Sequence, residues 1–129
     1  MNKKKNILML LPWLEMGGAD QVNLNIIKGL KKKYHFFILT TEKSKNAWED
    51  EFEKEAQEIF HLTTLGTSKD YLEIIYKIIF KKKIDLVFIS NSSTSKSILK
   101  LSFQFHYSRS LQIFYYSPTK TFSNASLSS

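Results

Sequence analysis

The chain contains no cysteine, which excludes disulfides, thiolate metal sites and cysteine nucleophiles. Glycine is scarce, four residues in all, and only Gly17 and Gly18 are adjacent. Neither the G-x-G-x-x-G dinucleotide fingerprint nor the Gly-Lys-Ser/Thr of a P-loop can therefore be written from them, which argues against a nicotinamide dehydrogenase or a nucleoside triphosphatase. No apolar run approaches the ~20 residues of a membrane span, because lysines or polar residues break each one. The first such run, residues 7–11, is also too short for a signal-peptide core and leads into Pro12-Trp13-Leu14-Glu15 without a small-residue cleavage site. Negative charge is missing from one whole stretch. All twelve acidic residues lie between Glu15 and Asp85, and thirteen of the fifteen serines fall from Ser90 onward, so the composition changes near residue 90.

What is present describes one small folding domain. The 129 residues are 43% hydrophobic and 14% aromatic, too apolar for a disordered chain. At that size roughly two-thirds of the unfolded surface can be buried. A cytoplasmic protein is the expectation. Nineteen basic residues against twelve acidic give +7. Much of the excess sits in three lysine triplets, Lys3–Lys5, Lys31–Lys33 and Lys81–Lys83.

Read along the chain, apolar runs and helical periodicities alternate. Residues 6–11 and 84–89 are nearly uninterrupted apolar runs, the pattern of strands buried on both faces. Residues 34–41 are aromatic and branched and read as another strand, and 59–62 as a short one. Helices are expected where Ala19, Val22, Ile26, Ile27 and Leu30 recur after an Asp20 cap, and over residues 46–58 with Trp48, Phe52 and Ala56 on one stripe. A further helix is expected over 71–80 after a turn at Gly66 and a Ser68 or Asp70 cap. Beyond Ser90 a helix over 95–106 and a fifth strand over 111–116 are expected, with a disordered tail at 118–129. Such alternation implies parallel strands joined by right-handed crossovers, an open Rossmann-like α/β sheet. Ligands of such sheets lie beyond the carboxyl ends of the strands. The loops at 12–18, 40–45 and 90–95 are therefore the candidate site.

Gly17 and Gly18 stand between the first strand and the first helix. Without side chains they let backbone amides approach a ligand, and the helix N-terminus favours an anion such as phosphate. They equally fit a tight turn in which glycine takes positive φ. Asn91 and Ser92, after the fourth strand, can hydrogen-bond a polar ligand from the same edge or simply cap a helix. His35, His61 and His106 lack ligand spacing, so no metal is expected. The acidic residues 49–58 read as a solvated helix face. The lysine triplets precede one strand and end two helices, which places all of them at the opposite edge of a parallel sheet. That belt serves helix-dipole matching and solubility, or rests on an anionic membrane surface. The aromatics fall in apolar stripes rather than among these lysines, so nucleic acid is not the expected partner.

Residues 7–22, Ile-Leu-Met-Leu-Leu-Pro-Trp-Leu-Glu-Met-Gly-Gly-Ala-Asp-Gln-Val, resemble the opening of the N-terminal domain of glycosyltransferase family 4. Gly17-Gly18-Ala19-Asp20 matches that family's Gly-Gly-Ala-Glu, with Asp for Glu. Residues 84–92, Ile-Asp-Leu-Val-Phe-Ile-Ser-Asn-Ser, resemble its strand and polar loop. The resemblance covers residues 6–92. It implies the N-terminal half of a GT-B fold, residues 1–117 forming an acceptor-side Rossmann-like domain, incomplete as a GT-B enzyme. Gly17 and Gly18 would reach towards the phosphates of a nucleotide-sugar donor, and Asn91 and Ser92 would join the substrate site. Transfer would be metal-independent and build polysaccharide or glycolipid on a glycan or glycolipid acceptor. The donor half is not in this sequence. No catalytic histidine is carried over, since Tyr116-Ser117 occupy the matching place, and the chain alone is expected to be inactive. The other class considered is a non-catalytic Rossmann-like binding module acting with a separate partner. A receiver-like domain is set aside because Pro12-Trp13 and His61-Leu62 stand where its aspartates are required.

Overall fold

The computed structural model describes residues 3–90 and the backbone of Gln112–Tyr116. Strands β1 (Lys5–Leu11), β2 (Tyr34–Thr40), β3 (Glu58–His61), β4 (Leu86–Ser90) and β5 (Gln112–Tyr116) form one sheet in the order β3-β2-β1-β4-β5. Every pairing is parallel. The fold is therefore the open Rossmann-like α/β sheet that the alternation implies. The expected helix at 95–106 and the tail at 118–129 lie outside the described residues, while β5 falls within the expected fifth strand.

β1 is central and wholly apolar after Asn6 because both of its faces are covered. Leu8 and Leu10 point to one side with Leu39, Val87 and Ile89, under Ile75 and Ile78 of helix α4 (Tyr71–Lys81). Ile7, Met9 and Leu11 point to the other with Phe36 and Ile38, under Leu24 and Ile27 of helix α1 (Gly18–Leu30). Odd and even positions alternate across the pleat, which a strand period of two requires.

Several local expectations change. Helix α2 spans only Glu49–Glu53 rather than 46–58. Like charges at i, i+4 (Glu49 with Glu53, Glu51 with Glu55) oppose a longer helix. At its start Asn46 is held at φ 52, and at its end the Gln57 amide donates to Phe36 O at 2.7 Å, drawing the chain into β3. Trp48, Phe52 and Ala56 nevertheless pack on the α1 side of the sheet. β3 starts one residue earlier than expected, and a short helix α3 (Leu62–Leu65) follows it. Gly66 does not make a positive-φ turn. Its backbone is extended, and what it needs is space: a Cβ there would stand 2.8 Å from Ile74 Cδ1. Asp70 is the N-cap residue of α4, as expected, and its carbonyl accepts from the Ile74 amide at 2.9 Å. Its carboxylate, however, makes no capping bond and turns back to accept from the Thr67 amide and hydroxyl, both at 3.1 Å. In α1 the buried face is Asp20, Asn23, Leu24 and Ile27, so Val22 and Leu30 lie outside it.

The amino edge gathers the three lysine triplets. Lys4 Nζ donates to Lys31 O at 3.3 Å, and Lys5 is in register with Tyr34, the residue after Lys33. Asn6 Nδ2 donates to Lys82 O at 2.8 Å and to Lys83 O at 3.3 Å. The aromatics are not absent from this edge, because Phe80, next to Lys81, is 64% exposed.

Candidate functional site

After β1 the chain turns to one side to build β2 and β3, then returns over the opposite face through α4 to enter β4. The boundary between β1 and β4 is thus where the strand order reverses, and the crevice beyond their carboxyl ends is the ligand position of this topology. Leu10 pairs with Ile89, so Ser90 comes out beside Leu11. The glycine loop leaves from β1 at this point. The structure therefore brings the loop at 12–18 and the end of β4 together. Asn91 and Ser92 lie outside the described residues.

Gly17 is the N-cap of α1, with φ −84 and ψ 172, and no glycine among the described residues has positive φ. The tight-turn explanation of the pair is thereby corrected. Asp20 is not the cap either. It lies at the third helical position, and its Oδ2 accepts from the Gly17 amide at 3.1 Å. That contact accounts for Gly17, since a Cβ there would sit 3.3 Å from the same oxygen. Gly18 is different: a Cβ would meet nothing within 4 Å. Nothing in the fold requires glycine at the first residue of α1, where alanine would hold the helix better. The first-turn amides of a helix have no intrahelical acceptor, and here they open beside exposed Met16, Gly17 and Gly18.

Asp20 is only 4% exposed. Burial pushes its carboxyl above the usual range, opposed by the Gly17 amide and aided by the charge of Glu15. A carboxyl with a raised native pKa adds its full stabilisation below the unfolded value and loses it as pH rises through the native one. At neutral pH the buried charge therefore costs stability. Asp20→Asn keeps an oxygen for the Gly17 amide and removes the charge. It is expected to be more stable than the parent at pH 7, with the gain vanishing below about pH 4. Urea denaturation at the two pH values checks this, and a less stable variant at pH 7 would contradict it.

A polar knot fixes the glycine loop from the other side. Glu15 accepts from the Ser44 hydroxyl and, at 2.8 Å, from the Asn46 amide. The Ser44 hydroxyl first, then the Asn46 and Ala47 amides, hold the Glu15 carboxyl below its ordinary range against the opposing effect of desolvation. Asn46 Oδ1 accepts from the Leu14 amide at 2.9 Å, and Leu14 O accepts from the Trp48 amide at 2.8 Å. The loops after β1 and β2 are thus one unit.

Sequence spacing missed a second group at this edge. The Thr40 hydroxyl meets His61 Nδ1 at 2.6 Å, and His61 Nε2 meets Glu49 Oε1 at 2.7 Å. With Nε2–H donating to Glu49, Nδ1 accepts the hydroxyl proton. Thr40 is 1% exposed, so this chain fastens α2 to the strand ends and offers no reachable nucleophile. The signal available in sequence was register: the last residues of neighbouring parallel strands align, and Thr40 pairs with His61. Among the described residues, two buried side-chain polar atoms have no hydrogen-bond partner, Asn23 Oδ1 on α1 and Ser90 Oγ at the end of β4. Ser90 is 0% exposed, so its hydroxyl, like that of Thr40, lies beneath the surface at this edge.

Among the described residues there is no group of three or more metal-ligating side chains, and no helix is long and apolar enough to cross a membrane. An open depression of about 420 Å³ beside β3, lined by Glu49, Glu53 and Glu58, lies away from the glycine loop. The protein is thus of the Rossmann-like α/β class, with a candidate polar-ligand crevice at its strand-order reversal. Compared with known families and curated proteins, the chain matches no family model and no curated sequence.

Proposed function

We propose that this chain is the acceptor-side half of a sugar-nucleotide-dependent glycosyltransferase of the family 4 type, serving polysaccharide or glycolipid synthesis in the cytoplasm. The observation that carries the reading is Gly18: a glycine that the fold does not need, opening the first turn of α1 at the strand-order reversal. Its missing side chain leaves the α1 amides free to approach a donor diphosphate closely, and the helix dipole favours that anion. Exposed Trp13 and Met16 on the same loop offer an apolar surface for a donor half or a sugar face.

The test is ligand-detected NMR with uridine- and guanosine-diphosphate hexoses, against the matching nucleosides and free hexoses. Contacts limited to one half of a cleft predict a Kd on the order of 1 mM for the diphosphate compounds. Gly18→Ala is expected to weaken that binding while raising stability by about 0.5–1 kcal/mol, because its Cβ enters open space on a helix. No signal from any nucleotide sugar, or binding unchanged by Gly18→Ala, would overturn the reading.

A further inference from the structure

We propose that the amino edge of the sheet is a docking base for an anionic lipid bilayer, independently of what the carboxyl edge binds. Nine lysines stand there in three triplets, and the hydrogen bonds of Lys4 to Lys31 O and of Asn6 to Lys82 O and Lys83 O hold the triplets together. Lys31 pairs with Glu55 at 2.6 Å and Lys82 with Glu58 at 2.8 Å. The other seven have no ion pair among the described residues. Asp85, the remaining carboxylate of this edge, accepts from the Asn6 amide at 2.9 Å. Lysine thus greatly outnumbers carboxylate.

Charge alone would suit any polyanion. The apolar residues beside it select among them. Leu30 and Phe80 are the last apolar residues of α1 and α4, immediately before their lysine triplets, and are 39% and 64% exposed. α1 and α4 cover opposite faces of the sheet, so the two side chains flank the lysines at either side of one broad end. Apolar side chains that enter the headgroup layer, ringed by lysines that meet anionic headgroups, are the features of a peripheral membrane contact. A nucleic-acid platform would instead align several aromatics along a basic groove. The seven residues of β1 separate this base from the ligand crevice by about 20 Å, so the crevice faces away from the bilayer.

Sedimentation of the whole chain with phosphatidylcholine vesicles, with and without phosphatidylserine, tests the proposal. Binding is expected only to the anionic vesicles, falling steeply with salt. Phe80→Ser should weaken it about tenfold while leaving retention on heparin unchanged. Replacing Lys32, Lys33, Lys81 and Lys83 together by glutamine spares both ion pairs and should lower vesicle binding about a hundredfold or more. Circular dichroism establishes that each variant is folded. Failure of the parent to pellet at low ionic strength would overturn the proposal. So would vesicle binding insensitive to Phe80→Ser and matched by equal affinity for heparin or single-stranded DNA, which would mark a general polyanion surface.

Discussion

Replacing Phe52 by alanine is expected to lower stability by about 3–5 kcal/mol, the range for removing a buried aromatic ring and leaving a cavity. Phe52 is 0% exposed and is the one buried residue of α2. A domain of this size has only about 5–15 kcal/mol in total, so the urea midpoint should fall by a large fraction. The consequence extends beyond the core. α2 carries Glu49 to His61, and the residue before it, Trp48, ties its amide to Leu14 O. With α2 loosened, the Leu14 and Trp48 amides should exchange with solvent faster than those of β1. A loss below about 1 kcal/mol would mean that α2 contributes little packing, against its burial.

Asn6→Ala is the second large expected effect, at the opposite edge. The Asn6 side chain donates to Lys82 O and Lys83 O, while its backbone exchanges bonds with Asp85: its amide donates to Asp85 Oδ2 and its carbonyl accepts the Asp85 amide at 2.8 Å. Alanine leaves the part-buried Lys82 carbonyl and the exposed Lys83 carbonyl without this donor, at a cost of about 0.5–1.5 kcal/mol. Lys83 sits at φ 51, a conformation a side chain enters only when its surroundings hold it there. The α4–β4 turn should therefore loosen with the substitution, seen as faster amide exchange at Ile84 and Asp85. Unchanged thermal stability and exchange would show that the turn holds itself.

These two residues illustrate what sequence pattern conveys and what it does not. Phe52 stands out as an apolar residue spaced from Trp48 and Ala56 among carboxylates, and its burial follows from that spacing whatever the length of its helix. Asn6 has no such mark. A polar residue at the start of an apolar run reads as a boundary, and only the return of β4 beside β1 gives its amide the Lys82 and Lys83 carbonyls. The candidate site divides similarly. Gly17 and Gly18 are conspicuous because scarce glycines fall together between a strand and a helix. Their separate meanings, one accommodating Asp20 and the other unneeded by the fold, require coordinates. His61 seemed isolated because its partners are twelve and twenty-one residues away.

The alternation of apolar runs with helical periods determined the strand and helix order, and hence the parallel sheet, because each element's burial is written in its own period of 2 or 3.6. It also placed the lysine triplets at one edge, since in a parallel sheet every strand start and helix end falls on the same side. Tertiary structure alone decided which polar residues meet: Glu15 with Ser44 and Asn46, Thr40 with His61, Asn6 with the α4–β4 turn. It also decided that α2 stops at Glu53 and that Phe80 stands in the open beside its lysines. Those outcomes depend on hydrogen bonds and packing between segments distant in sequence, whose geometry exists only once the strands have taken their order and register.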